Sequence, residues 1–84
     1  MSKNKIEIEY CDQWNYFPKA ASFAEFIENK IDCENILNKK ISFIKGSGGA
    51  FEVFVNGNKI FSKLDKGRFP EEIELVNLVK NNIR

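Results

Sequence analysis

Histidine does not occur in this sequence. With it goes the one side chain whose ordinary titration lies near neutrality, and the commonest general base and metal ligand. Ser–His and Cys–His nucleophilic catalysis are thereby excluded within a single chain. Cysteine is scarce as well: Cys11 and Cys33 are the only two. Two thiols far apart in sequence, with no histidine between them, offer no ligand cluster, so no metal is expected. There is no surplus of either charge, with 13 Lys and Arg against 12 Asp and Glu. Lys39, Lys40, Lys45, Lys59, Lys63, Lys66 and Arg68 could gather at one end of a sheet. Basic residues on strand edges commonly serve to discourage edge pairing, and the chain lacks the concentrated basic face of a nucleic-acid-binding domain.

Long apolar runs are missing too. No stretch approaches the ~18 residues of a membrane span. The first ten residues alternate charged and apolar side chains and contain no apolar core of a signal peptide. The expectation is a cytoplasmic protein whose two cysteines stay reduced. Repeats, linkers and low-complexity segments are absent, so residues 1–84 read as one domain. Eight Phe within a 43% apolar composition are enough for one compact core. A chain this short is nevertheless only modestly stable on buried area alone.

Residues 5–10 alternate at period two, with Ile6, Ile8 and Tyr10 on one face and Lys5, Glu7 and Glu9 on the other. That is a half-buried strand. Residues 11–17 read as a turn. Pro18 suits the first turn of a helix, and Ala20, Phe23, Ala24, Ile27 and Ile31 recur at helical spacing, which predicts a helix over 18–31. Asp32 to Asn38 is polar and gives no clear element. Residues 40–45 read as a second strand, broken by Gly46-Ser47-Gly48-Gly49. Phe51–Val55 and Asn58–Lys63 then flank Asn56-Gly57, the strongest short hairpin signature, because both turn residues must take φ > 0. Residues 63–69 read as a loop. Pro70 opens a second helix, with Glu71 and Glu72 at its start and Lys80 and Arg84 near its end, as the helix dipole favours. Ile73, Val76, Leu78, Val79 and Ile83 are its expected buried face. The order is β-α-β-β-β-α, with strands 1 and 2 parallel through a right-handed crossover and both helices laid on the sheet.

Several segments then stand together. Tyr10-Cys11-Asp12-Gln13-Trp14-Asn15-Tyr16 follows the first strand, and Gly46-Ser47-Gly48-Gly49-Ala50-Phe51-Glu52-Val53 leads into the third. Lys66-Gly67-Arg68-Phe69-Pro70-Glu71 follows the fourth. At these spacings around an Asn-Gly hairpin, from about residue 5 to 80, they resemble the selenoprotein W-like (Rdx, SelT/SelW/SelH) family. The resemblance implies an α/β, thioredoxin-like fold with a mixed four-stranded sheet and two helices. It also implies a thiol or selenol redox role. Family members carry Cys-x-x-Cys or Cys-x-x-selenocysteine between strand 1 and helix 1. Cys11 matches the first position of that motif, and Trp14 stands at the second.

That departure has a direct chemical meaning. In a dithiol pair one thiolate attacks and the other resolves the mixed disulfide; Trp14 supplies no resolving thiol. Cys33 lies beyond the far end of the first helix. A helix of about 14 residues spans roughly 20 Å, whereas a disulfide needs Cα atoms within about 7 Å. What remains is a monothiol at Cys11. The N-terminus of the helix favours a thiolate there, and neighbouring Asp12 opposes it. Such a thiol takes up glutathione as a co-substrate or forms a mixed disulfide with a protein partner, and a Cys11–Cys11 homodimer is expected under oxidising conditions. The competing reading is an inert, packed thiol, which is also the reading for Cys33.

Trp14 reads either as a lid or partner anchor or as packing on Tyr16 or Phe17. The glycines do not match a phosphate loop, since a strand rather than a helix follows them. Within the resemblance, Gly48 and Gly49 border the reactive turn, and Phe51 and Phe69 form an apolar rim; core packing is the alternative for both rings. Glu71 and Glu72 are explained as helix-start charges. Two functions stand at this point: thiol redox or glutathione-linked regulation through Cys11, or a protein-interaction module that has lost its dithiol pair.

Overall fold

A computed structural model describes residues 3–84. Strand β1 (Ile6–Cys11) is followed by helix α1 (Phe17–Lys30), strands β2 (Ser42–Gly46), β3 (Phe51–Val55) and β4 (Asn58–Ser62), the short helix α2 (Lys63–Lys66), and helix α3 (Glu72–Asn82). The four strands form one mixed sheet in the order β2-β1-β3-β4. The β1–β2 pair is parallel, with Ile8 opposite Phe43 and Cys11 opposite Gly46. The other two pairs are antiparallel. This is the α/β, thioredoxin-like arrangement expected from the sequence, with a third, short helix added.

The alternation in β1 sets the layers. Ile6, Ile8 and Tyr10 are buried, while Glu7 and Glu9 are half-buried on the opposite side. Helix α1 closes over β1 with Ala20, Phe23, Ala24 and Ile27, and α3 lies beside it over β4 with Leu75, Val76 and Val79. Truncating a buried Ile such as Ile27 to Ala typically costs about 2–5 kcal/mol in a core of this kind. The hairpin forms as expected: Asn56 and Gly57 take φ of 53° and 85°.

Three expectations need correction. Residues 63–69 are not all loop, because α2 forms there. Ser62 caps it by accepting from the Asp65 N–H at 3.1 Å, the carboxylate of Glu52 accepts from the Leu64 N–H at 3.5 Å, and Gly67 ends it in the left-handed region at φ 74°. The second long helix starts at Glu72 rather than at Pro70, because Glu71 and Glu74 build a capping box across its first turn. Ile73 is not on its buried face but is 60% exposed, and Leu75 takes the buried place. At 3.6 residues per turn, Leu75, Val76 and Val79 share one stripe that Ile73 lies outside. The polar stretch without a clear element resolves into two single 3₁₀ turns, Cys33–Asn35 and Leu37–Lys39.

Candidate functional site

Cys11 is the last residue of β1, a central strand, and has no exposed surface. Its N–H donates to the Ala50 carbonyl at 2.8 Å, and its carbonyl accepts from the Tyr16 N–H at 3.1 Å. Between these anchors, Asp12 to Asn15 form an exposed turn closed by the Asn15 N–H on the Asp12 carbonyl at 3.0 Å. Asn15 takes φ 59°, which Asn tolerates better than most residues. Tyr16 is the N-cap of α1, five positions after Cys11, and its N–H on the Cys11 carbonyl holds the helix start against the end of β1.

Trp14 leans back over the glycine loop. A Cβ placed on Gly49 would lie 2.7 Å from Trp14 Cζ3. Gly49 also holds φ 79°, a conformation natural to glycine alone. The loop thus makes a seat for the indole, whose remaining surface leaves the residue 58% exposed. The other expected glycine, Gly48, is exposed with nothing within 4 Å of a Cβ.

From Trp14 a line of ring contacts runs inward, the first three edge-to-face and the last tilted. Trp14 meets Tyr16 at 5.9 Å between centroids, Tyr16 meets Phe69 at 4.9 Å, Phe69 meets Phe51 at 5.2 Å, and Phe51 meets Phe23 at 5.4 Å. Such geometry is the favoured one for aromatic pairs. Phe69 is therefore half-buried between surface and core. Phe51 lies wholly within the core and meets the site's Phe69.

Two lysines that the sequence did not place at this site border it as well. Lys19 Nζ stands 4.8 Å from the Phe69 ring centre, and Lys63 Nζ stands 5.4 Å from the same ring and 5.5 Å from that of Tyr16. The signal available was the placement of Lys19 in the first turn of a helix whose neighbours are aromatic. Cys33 is not part of this site. It lies beyond α1, half-buried, with its thiol 3.7 Å from the Glu28 carbonyl. Among the described residues no three His, Cys, Asp or Glu side chains gather as a metal cluster, and no helix is long and apolar enough to cross a membrane.

The turn after β1, the glycine loop before β3 and the Arg68-Phe69-Pro70 stretch thus come together in space as they do in the motif. A family model described as the Rdx family matches residues 5–81. The chain belongs to the Rdx family. It is 55% identical over 42 residues to a SelT-like protein of Arabidopsis thaliana, covering 50% of this chain and 20% of that protein. It is 30% identical over 79 residues to migration and invasion enhancer 1 of Bos taurus, covering 90% of this chain and 62% of that one. The chain therefore spans less than two thirds of these relatives' length. Among solved structures, a selenoprotein W-related protein of Vibrio cholerae superposes with a TM-score of 0.88 at 31% identity, covering 99% of this chain and all of its own. A protein of Bordetella parapertussis gives 0.87 at 25% identity, covering 96% and 99%. The selenoprotein W-like fold of the Rdx family is thus this chain's fold.

Proposed function

We propose that this Rdx-family chain works in thiol redox or glutathione-linked regulation in the cytoplasm, with Cys11 as a monothiol. The observation that supports the reading is the position of Cys11 at the end of a central strand, under the turn that leads into α1, with Cys33 beyond the far end of that helix. The Cys11 thiolate attacks one sulfur of oxidised glutathione. A Cys11–glutathione disulfide forms, and one glutathione thiolate leaves. A second thiol then attacks this mixed disulfide and restores Cys11. Because Cys11 is covered, the segments around it have to open for the attack. The same opening would be needed before two copies could join through Cys11.

Intact-mass measurement after exposure to oxidised glutathione tests the proposal. The wild-type and Cys33→Ser chains should each gain a glutathionyl group that Cys11→Ser does not. A Cys33→Ser chain that gains none would overturn it.

A second reading has its own observation. Trp14 stands seated and exposed at the motif position next to a fully covered Cys11, as suits a protein-interaction module without redox chemistry. Partner binding that survives Cys11→Ser and is lost in Trp14→Ala would select this reading over the first.

A further inference from the structure

The two lysines over Phe69 stand out from the other charges nearby. The ion pairs among the described residues engage Lys3, Lys5, Lys39, Lys59 and Arg68. Lys19 and Lys63 take part in none of them. Both ammonium groups instead lie within about 5.5 Å of one aromatic centre, from opposite ends of the chain: α1 supplies one and α2 the other. Two like charges brought to one ring, with no carboxylate between them, form a local positive field beside an apolar surface. The ring face alone offsets that repulsion only in part.

The next surface along the aromatic line is Trp14. Its indole is held from below by the Gly49 backbone and edge-on by Tyr16, and its outer side is open. An aromatic side chain that is fixed before binding loses little freedom on contact, which is how interface hot spots achieve their strength.

We infer that Trp14, Tyr16, Lys19, Lys63 and Phe69 form a docking surface for a short acidic segment of a partner protein, one apolar side chain resting on Trp14 and adjacent carboxylates meeting Lys19 and Lys63. Charge complementarity selects this occupant. A second copy would have to bring a carboxylate-bearing patch to the lysines, and the corresponding surface of a copy is itself basic and aromatic. The inference deepens the protein-interaction reading of the same site and does not depend on Cys11 being reactive.

A random twelve-residue peptide library, selected against the whole chain, tests it. Enriched peptides should share an Asp or Glu beside a large apolar residue. Each should change the emission of Trp14, the only tryptophan in the chain, in a saturable way that weakens as salt rises. In the double variant Lys19→Glu/Lys63→Glu the affinity should fall at least tenfold, and in Lys19→Gln/Lys63→Gln by a smaller factor. Lys80→Glu, a reversal of charge on α3, should leave it unchanged, as should Cys11→Ser. Circular dichroism of each variant separates a lost contact from a lost fold. No enrichment, enrichment of peptides without acidic residues, or equal binding by the double variants would each overturn the inference. So would inorganic phosphate or anionic lipid vesicles displacing the peptide at lower concentration than an unlabelled copy of it. Loss of binding in Cys11→Ser alone would instead speak against the interaction reading and in favour of the thiol.

Discussion

At the scale of single residues, the site depends on Gly49. Its left-handed backbone and the indole above it leave no place for a side chain. Gly49→Ala should cost about 1–3 kcal/mol through backbone strain and displacement of the ring. Chemical denaturation measures the first effect, and a shift in Trp14 emission the second. Gly48, with open space around it, should lose only the conformational part when changed to Ala, and leave Trp14 emission as it was. The sequence marked the glycines, Cys11 and Trp14 as neighbours through motif spacing. It could not say that Cys11 is covered, because burial at a strand end depends on tertiary contacts such as those of its backbone with Ala50 and Tyr16. Nor could it show Lys19 and Lys63 meeting at one ring, since α1 and α2 are joined only by the tertiary fold.

At the scale of elements, the strands, the hairpin and the start of α1 were legible, and the starts of α2 and α3 were not. Period-two alternation and Asn-Gly are local signals, and β1, β3 and β4 follow them closely. The caps of α2 and α3 rely on side chains reaching across three residues, Ser62 forward to the Asp65 N–H and Glu74 back to the Glu71 N–H. Pro70 looked like a helix start, but the capping box sets it at Glu72, with the Glu74 carboxylate accepting from the Glu71 N–H at 3.0 Å. Arg68 adds to that cap: its guanidinium donates to both Glu74 carboxylate oxygens at 2.9 Å. Principally through this contact, Glu74 is held at about 2, well below its ordinary 4.5. A carboxylate with a lowered folded-state value contributes stability above its unfolded value and loses it as pH falls through the folded one. Glu74 should therefore stabilise the fold fully above pH 4.5 and progressively less down to about pH 2. Glu74→Gln should flatten the pH dependence of the thermal midpoint in that window and leave it unchanged near neutrality apart from a constant offset. A wild-type midpoint that does not fall between those pH values would refute this assignment.

At the scale of the whole molecule, Asn4 joins distant parts of the chain. It is 1% exposed. Its side-chain amide donates to the carbonyls of Asn35 at 2.9 Å and Arg84 at 3.1 Å, and its side-chain oxygen accepts from Asn56 Nδ2 at 2.9 Å and the Arg84 N–H at 2.8 Å. One side chain thus ties β1 to the hairpin turn, the 3₁₀ segment and the end of α3. Asn4→Ala removes all four of these side-chain hydrogen bonds, and the Asn35 carbonyl keeps only the Asn4 N–H as a donor. The substitution should destabilise the fold by at least about 1–3 kcal/mol. In hydrogen exchange the amides of the 56–57 turn and of residues 82–84 should lose protection together. Independent loosening of the two regions would show that Asn4 does not couple them. The sequence placed Asn4 before the first strand as an unremarkable polar residue. Its role arises from closure of the fold, which brings residues 4, 35, 56 and 84 to one point.

The seated indole also has a consequence for stoichiometry. A dithiol protein can be oxidised by two electrons and hold both of its sulfurs in a bond to each other, so it returns from each encounter carrying nothing. With Trp14 fixed where the second sulfur would stand, this chain has no such closed form. Under the proposed monothiol chemistry a disulfide at Cys11 joins it to a second molecule, and that one-to-one conjugate lasts until the next thiol arrives.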